Sequence, residues 1–193
     1  MRDVVVLMSG GVDSTTLAEM ARGQDRLACV VFINFGQPAY LDEVRTVRGW
    51  AVRNDAELVE RRLMLDGSMQ TGVGVDGPRV LPGRNLALLG VALNVAAARR
   101  ASEVWFGAIG DDFAEYHDCR PAFVDALDRL SRASCGVGVR APLMLLRKAE
   151  VVALARRLGV DLDRTWSCYE PDRAHQCGRC NSCKARRAAM GAA

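Results

Sequence analysis

Five short apolar runs, each separated from the next by a helical pattern, are the feature that most limits how this chain can fold. The runs are Asp3–Met8, Leu27–Phe35, Leu58–Met64, Glu103–Ile109 and Val139–Met144. They are mostly continuous rather than alternating, as is typical of strands covered on both faces of a parallel sheet. The helical patterns are Ser14–Arg22, Leu41–Arg53, Asn85–Arg100, Pro121–Ala133 and Arg147–Leu158. The sequence therefore predicts an α/β fold with a doubly wound, mainly parallel five-stranded sheet and ligands at the carboxyl ends of its strands.

Size and charge place few further limits on the class of protein. The 193 residues suit a single domain over 1–193, and half of them are hydrophobic. The net charge of +3, from 26 basic and 23 acidic residues, is too small to indicate a nucleic-acid partner. Because no apolar run approaches the ~20 residues of a membrane span and no signal peptide is evident, we expect a cytoplasmic protein without a membrane partner. The Gly-rich stretch Asp66–Pro82 predicts a long mobile loop of the kind that covers a site.

A glycine turn joins the first predicted strand to the first predicted helix in the stretch VVVLMSGGVDSTT. Unpaired N–H groups and the helix dipole attract an anion there, and Gly10 and Gly11 can take positive φ and let it approach closely. The turn has neither the spacing and lysine of a Walker loop nor the pattern GxGxxG. Asp13 would repel phosphates unless Mg²⁺ lies between them, so we assign it a metal-bridging role. A plain tight turn with an Asp or Ser helix cap is the alternative.

Four of the seven cysteines crowd into the stretch WSCYEPDRAHQCGRCNSC. They are Cys168, Cys177, Cys180 and Cys183. Their short spacings suit a tetrahedral zinc site, and Gly178 allows a sharp turn between two of them. Four thiolates leave no open position for catalysis, so we expect structural zinc in a segment at about 166–184. An iron–sulfur cluster, or His175 in place of one cysteine, is an alternative, whereas the segment is too polar for four unrelated core cysteines.

Five motifs together carry a resemblance to a known family. They are SGGVDSTT, LPGRN, GAIGDDFAEYHDCR, APLMLLRKAE and WSCYEPDRAHQCGRCNSC, within about Val4 to Lys184. The first resembles the pyrophosphate loop of the ATP pyrophosphatases, or PP-loop enzymes, and the combination resembles the 7-cyano-7-deazaguanine synthase family. The resemblance implies a Rossmann-like fold of the adenine nucleotide alpha hydrolase type, ATP with Mg²⁺, and often a homodimer. It also implies that 7-carboxy-7-deazaguanine is adenylated, converted by ammonia to the amide, and dehydrated to the nitrile base preQ0 of queuosine biosynthesis.

The resemblance assigns candidate site residues by position. The pyrophosphate ligands would be Ser9, Gly10, Gly11, Asp13, Ser14 and Thr15. The catalytic residues would be Asp13, Arg84 and Lys148. The deazaguanine would be bound by Asn85, Asp112, Phe113, Tyr116, Asp118 and Arg120. Carboxylates can accept from a guanine-like N1–H and amino group, and an aromatic ring can stack on its face.

Structural roles compete with these functional ones at five positions. Asp118 and Arg120 could form a surface pair, and Phe113 could pack in the core. Asn85 could cap its helix, and Lys148 could be solvated at the start of its own. The sequence alone leaves both sets of roles open.

Two departures from the family pattern bear on activity. An Arg-His pair is expected after Gln37, whereas this chain has Pro38 and Ala39, and the segment Leu65–Pro82 looks shorter than expected. The chain could therefore stop at the amide or couple the activated carboxylate to another amine. A different alternative is an inactive nucleotide-binding module that binds RNA through the zinc segment and the basic residues 184–187.

Overall fold

The computed structural model of the chain describes residues 2–65, 72–74, 77–79, 81–114, 116–170 and 175–191. Its strands are β1 (Val4–Leu7), β2 (Leu27–Asn34), β3 (Leu58–Arg62), β4 (Gly72–Gly74), β5 (Gly77–Arg79), β6 (Glu103–Trp105) and β7 (Gly138–Arg140). Its helices are α1 (Val12–Gly23), α2 (Tyr40–Arg53), α3 (Arg84–Ala98), α4 (Pro121–Cys135), α5 (Lys148–Arg157) and α6 (Asn181–Gly191). Helix α4 illustrates the local signals, because Pro121 occupies its first position and Gly136 follows its end with a φ of +73°.

Five strands form one parallel sheet in the order β3-β2-β1-β6-β7. The chain runs outward from β1 through β2 to β3, and then returns to the other side of β1 for β6 and β7. The strand order therefore reverses between β1 and β6, which is where such folds bind ligands. This arrangement confirms the predicted doubly wound sheet.

Helices cover both faces of the sheet. Val4 and Val6 of β1 belong to a core with residues of α1, α2, α5 and α6, whereas Val5 belongs to a core with residues of α3 and α4. Neighbouring side chains of a strand point to opposite faces of the sheet. Because both faces are covered by helices, the side chains on both are apolar, and the strand is a continuous apolar run in the sequence. In the part of the chain that the structure describes, no helix is long and apolar enough to cross a membrane.

Two strands are shorter than the sequence predicts. β6 ends at Trp105 instead of Ile109, because the chain leaves the sheet there to line a cavity. β7 ends at Arg140 instead of Met144, because Pro142 cannot donate a ladder bond and the following residues form turns. The ends of the other predicted strands and helices lie within two residues of those observed.

Helix α6 is not predicted by the sequence. Its buried residues are Cys183, Arg186 and Ala189, and only the last is an ordinary core residue. The apolar signal is therefore too weak to reveal a helix. The predicted mobile loop Asp66–Pro82 lies largely outside the described residues, and its described pieces include the antiparallel strands β4 and β5.

Candidate active site

A cavity of about 240 Å³ opens at the carboxyl ends of β1, β2 and β6. It is lined by the glycine turn after β1, the starts of α2 and α3, and the chain that follows β6. Apolar strand ends such as Phe32 and Ile33 contribute to the lining alongside polar loop residues. The cavity therefore suits a ligand that combines a flat ring with charged groups.

The glycine turn has one position that only glycine fits. Gly10 has a φ of +82°, and a Cβ there would lie 2.9 Å from Cγ2 of Thr46. Gly11 has a φ of −71°, which corrects the expectation that both glycines take positive φ. The residues of this turn that line the cavity are Ser9, Gly11, Asp13 and Ser14. Gly10 shapes the turn, and Gly11 presents backbone to the cavity.

The hydroxyl of Ser14 holds the turn together. Ser14 Oγ accepts from the N–H of Ser9 at 3.2 Å and donates to the carbonyl of Gly11 at 3.2 Å. Thr15, predicted as a phosphate ligand, is buried and does not line the cavity. Its Oγ1 has no hydrogen-bond partner among the described residues. Serine hydroxyls and backbone N–H groups are thus the donors that an anion would meet first.

A lysine contacts the turn through an ion pair. Lys148 Nζ lies 2.8 Å from Oδ1 and 2.7 Å from Oδ2 of Asp13, with 18% and 22% of the two side chains exposed. The backbone N–H of Lys148 donates to Oδ2 of Asp111 at 2.8 Å, which fixes the start of α5. Lys148 is therefore held at the glycine turn, and the alternative of a solvated lysine does not apply.

Gly107 is a cavity residue that the sequence analysis did not single out. A Cβ there would lie 3.2 Å from Cβ of Asp13 and 3.3 Å from the backbone nitrogen of Ser14. The absence of a side chain lets the chain after β6 approach the first turn of α1. A glycine inside the predicted strand Glu103–Ile109 was the available signal, because such a glycine often marks a close approach of backbone.

The start of α3 brings two predicted residues to the cavity. Arg84 and Asn85 both line it. Gly83 holds the N-cap position with a φ of +72°, so Asn85 does not cap the helix, and its N–H donates to Oδ2 of Asp118 at 3.1 Å. Arg84 Nε donates to Oδ1 of Asn85 at 3.4 Å, and the other guanidinium nitrogens have no hydrogen-bond partner among the described residues. They are available to a phosphate or carboxylate.

Asp112 and Tyr116, two of the residues proposed from the motifs to bind substrate, line the same cavity. Burial raises the pKa of Asp112 to about 6 and the charge of Asp13 adds to the rise, although the N–H of Ile109 at 3.1 Å opposes it. Cys119 also lines the cavity, but burial raises its pKa to about 12. This thiol is neutral near pH 7 and is not poised as a nucleophile.

Three predicted substrate residues lie beside the cavity and do not line it. They are Phe113, Asp118 and Arg120. Arg120 Nε donates to the carbonyl of Phe113 at 2.7 Å, and Asp118 bonds to the start of α3. Since each side chain bonds elsewhere, Asp118 and Arg120 do not form the alternative surface pair.

Three further polar residues line the cavity, namely Gln37, Glu43 and Tyr169. Burial raises the pKa of Glu43 to about 7 against the opposing effects of the Gln37 amide and the Arg84 charge. Burial also raises the pKa of the Tyr169 phenol above its usual range. Pro38 and Ala39, the departures from the family pattern, lie in the same lining. No sequence motif includes Glu43, and Tyr169 lies in the cysteine motif, where it was not singled out as a site residue.

The four tail cysteines form one cluster that could hold a metal. The sulfur atoms of Cys168, Cys177, Cys180 and Cys183 all lie within 4.8 Å of one another. His175 is not a member of this group, so the alternative with a histidine ligand does not apply. Gly178 takes a φ of +70° between the first two ligands of the run, as predicted. The donor set of four thiolates suits a thiophilic metal in a closed site.

The cysteine segment touches the glycine turn directly. The N–H of Trp166 donates to the carbonyl of Gly10 at 2.8 Å, and a Cβ on Gly11 would lie 3.4 Å from the carbonyl oxygen of Trp166. Three residues further on, Tyr169 lines the cavity, with Cys168 between them. The segment that holds the metal ligands therefore forms part of the candidate active site.

The basic stretch 184–187 is partly used inside the molecule. Arg186 is 8% exposed, and its guanidinium donates to Thr165 Oγ1 and to the carbonyl of Leu162. Arg187 donates to the carbonyl of Gly178 at 3.1 Å. These contacts join α6 to the cysteine segment and leave fewer charges for the alternative of RNA binding.

The sheet and the glycine turn place the chain in a known class of fold, that of the PP-loop proteins. The U34-tRNA thiolase NcsA from Methanococcus maripaludis, solved with its 4Fe-4S cluster, matches with a TM-score of 0.60 and 14% identity over 98% of this chain and 70% of that one. A predicted subunit of tRNA methyltransferase from Methanocaldococcus jannaschii matches with a TM-score of 0.54 and 19% identity over 81% of this chain and 76% of that one. At these identities the likeness concerns the fold.

Sequence comparison gives the particular family. A family model described as queuosine biosynthesis protein QueC matches residues 75–193. The 7-cyano-7-deazaguanine synthase of Marinobacter nauticus is 34% identical, over 98% of this chain and 92% of its own length. That of Ralstonia nicotianae is 35% identical, over 98% of this chain and 94% of its own length. The chain therefore belongs to the QueC family, which confirms the resemblance drawn from its motifs.

Proposed function

We propose that the chain is a PP-loop enzyme, one domain throughout, that converts 7-carboxy-7-deazaguanine and ammonia to 7-cyano-7-deazaguanine at the expense of ATP. The observation that carries this proposal is the single cavity shared by the glycine turn and by Arg84, Asn85, Asp112 and Tyr116. One part of its lining suits a polyphosphate and another suits an anionic aromatic acid. Relatives named as synthases of this nitrile cover nearly the whole chain.

The chemistry begins on a carboxylate, which resists nucleophiles because its oxygen is a poor leaving group. Attack of that oxygen on the α-phosphorus of ATP forms an acyl adenylate and releases pyrophosphate. Ammonia then adds to the acyl carbon, AMP leaves, and the amide forms with loss of a proton. Attack of the amide oxygen on the α-phosphorus of a second ATP releases a second pyrophosphate, and loss of AMP and two protons then gives the nitrile.

The residues of the turn act on the phosphates in this proposal. The hydroxyl of Ser9 and the backbone N–H groups of Gly11 and Ser14 donate to the pyrophosphate as it leaves, and Lys148 supplies positive charge beside Asp13. Arg84 binds the reacting carboxylate or the α-phosphate through its free nitrogens. Asp13 retains lone pairs for Mg²⁺, which would neutralise charge on the phosphates of bound ATP.

We propose structural zinc for the cysteine cluster. A single ion with metal–sulfur bonds of about 2.3 Å places its sulfurs about 3.8 Å apart, and sulfurs within 4.8 Å of one another are close to that spacing. An iron–sulfur cluster would need room for several irons between the same sulfurs. Metal analysis of the purified protein, together with its visible absorption spectrum, separates the two.

The composition of the cavity lining favours a second possible product, the amide. Pro38 and Ala39 line the cavity without the polar groups that an Arg-His pair would supply. If those groups serve the second activation, the reaction would stop at the amide.

The test is an incubation with ATP, Mg²⁺ and 7-carboxy-7-deazaguanine, with and without ammonium, followed by mass spectrometry of bases and nucleotides. We expect the nitrile, AMP and pyrophosphate, with the nitrile dependent on ammonium. Accumulated amide would support the rival endpoint. Absence of AMP from protein with its metal intact would contradict the synthase proposal.

A further inference from the structure

Glu43 lines the cavity, but neither the sequence motifs nor the proposed chemistry assigns it a role. It lies on α2, one turn after Ala39, and its side chain is half-buried in the cavity lining. Its Oε2 accepts from Nε2 of Gln37 at 2.8 Å. Its Oε1 has no hydrogen-bond partner among the described residues and is not fully buried. A carboxylate oxygen therefore remains free in a site where bound ligand would replace water.

The orientation of this carboxylate is fixed by its neighbour. Gln37 Oε1 accepts from the N–H of Phe35 at 2.9 Å, and its Nε2 donates also to the carbonyl of Ile33 at 3.3 Å. The amide cannot turn over without losing both contacts to the end of β2. It therefore always presents a donor to Oε2 of Glu43, so Oε2 must accept and Oε1 is an acceptor for a ligand when the carboxylate is ionised.

The surroundings of this acceptor suit a flat ring. Phe35, Pro38 and Ala39 line the cavity in the same part of the chain and offer no side-chain donor or charge. The positive charge of Arg84 lowers the pKa of Glu43 against the effect of burial. In such a site the apolar groups can contact the faces of a heterocycle, and the carboxylate can accept hydrogen bonds from its polar edge.

We propose that Glu43 is a specificity residue that accepts hydrogen bonds from two adjacent N–H donors on the edge of a guanine-like base. This inference deepens the proposed function and rests on it for the identity of the base. A guanine-like edge presents the ring N1–H beside an exocyclic amino group, and both are donors. The adenine edge presents an amino group beside an N1 acceptor, whose lone pair a carboxylate repels. Glu43 thereby distinguishes the base to be modified from the base of ATP.

The decisive variant is Glu43→Gln, because Gln37 dictates how the new amide must point. Its oxygen must accept from Gln37, so its NH₂ group takes the place of Oε1 and turns an acceptor into a donor at nearly constant shape. We expect roughly 10- to 100-fold weaker binding of 7-carboxy-7-deazaguanine, measured by titration calorimetry. The affinity for a non-hydrolysable ATP analogue with Mg²⁺ should change by less than about twofold.

Two further variants exclude a merely structural effect. Glu43→Ala removes the acceptor without adding a donor, so it should weaken binding of the base less than Glu43→Gln does. Glu60→Gln removes a carboxylate from an exposed ion pair with Arg48 and should leave both affinities unchanged. Thermal unfolding of each protein verifies that it is folded, and Glu43→Ala carries the test if Glu43→Gln does not fold.

The outcomes separate this inference from the proposed function when guanine is titrated as a second probe. Unchanged binding of the base by Glu43→Gln, or weakened binding of the ATP analogue instead, would overturn the assignment of Glu43 while a synthase activity stands. If the wild type binds guanine but not the carboxylated base, and Glu43→Gln loses guanine, the assignment stands and the synthase proposal fails. Failure of the wild type to bind either base would overturn both.

Discussion

The glycine turn and the cysteine segment border one cavity, but they are built by different physical means. The turn follows β1, whose Val4, Val5 and Val6 are completely buried, so packing of the sheet fixes where the turn begins. The cysteine segment has few apolar residues and depends on four converging thiols and the buried Arg186. Apolar packing stabilises the first region, whereas metal ligation and hydrogen bonds stabilise the second. One cavity can thus have walls of very unequal intrinsic stability.

The two regions are joined by few contacts. The bond from Trp166 N–H to the carbonyl of Gly10 and the placement of Tyr169 at the cavity make the weaker region part of the site. Loss of order in the cysteine segment should therefore weaken ligand binding without unfolding the sheet.

Removal of the metal should disorder the cysteine segment and leave the sheet folded. A structural metal contributes on the order of ten kcal/mol to local order, so chelation should release residues 175–191 while β1 and β2 stay protected. Hydrogen exchange followed by mass spectrometry measures both regions in one experiment. We also expect weaker binding of ATP, since Trp166 and Tyr169 lose their support. Unfolding of the whole sheet, or full protection of α6 without metal, would contradict the proposed independence of the two regions.

Gly10→Ala should destabilise the glycine turn. The residue has a φ of +82°, and the new Cβ would lie 2.9 Å from Cγ2 of Thr46, so we expect a loss of about 1–3 kcal/mol in the free energy of unfolding. AMP formation should fall with it. Gly90→Ala is the matched control, because this helical glycine has no heavy atom within 4 Å of a new Cβ. That change should stabilise the protein by about 0.5–1 kcal/mol, and equal effects of the two substitutions would refute the assigned role of Gly10.

Lys148→Met should remove the positive charge beside Asp13 and lower AMP formation roughly 10- to 100-fold, because the carboxylate would then repel the phosphates unopposed. The chain contains one other lysine, Lys184, which is exposed on α6. Lys184→Met is therefore a matched control and should leave the rate unchanged. Steady-state assays of both variants provide the measurement. Equal rates for Lys148→Met and the wild type would place Lys148 outside the chemistry.

The affinity for the base should depend weakly on pH, and this dependence tests the role of Glu43. Its pKa is raised to about 7 by burial, while Gln37 and Arg84 lower it and Asp42 raises it. Because Oε2 accepts from Gln37, protonation of the carboxylate places the proton on Oε1, which then donates where it must accept. Affinity for the base should therefore fall as the pH drops from 8 to 6, by up to about tenfold. Glu43→Gln should bind weakly and with little pH dependence above the pKa of about 6 of Asp112. Titration calorimetry at several pH values tests this, and identical pH profiles for both proteins would contradict it.

The sequence predicted the parts of the molecule that local signals determine. The sheet, five of the six helices and the convergence of the four cysteines follow from apolar runs, helical periods and ligand spacing, all of which lie within short stretches. β6 is shorter than predicted because its apolar run continues past the edge of the sheet, where Phe106 and Ala108 line the cavity. β7 is shorter because the chain leaves the sheet before Pro142. Helix α6 was not predicted because an arginine and a cysteine of the four-cysteine cluster take the place of apolar residues on its buried face.

The cavity itself could be predicted only in part. Ser9, Gly11, Asp13 and Ser14 were accessible because they form one contiguous motif. Gly107, Glu43 and Tyr169 come from three distant parts of the chain, and only the fold reveals that they share a cavity. Phe113, Asp118 and Arg120 were assigned from a motif, whereas tertiary contacts direct them to positions beside the cavity.

The central claim is that this cavity directs a carboxylate to the α-phosphorus of ATP. Exchange of labelled pyrophosphate into ATP tests it most directly, because exchange requires a reversible adenylation and no ammonia. We predict exchange that depends on 7-carboxy-7-deazaguanine and on the intact glycine turn. Release of inorganic phosphate with ADP, or no exchange with the metal site intact and both ligands bound, would contradict the account.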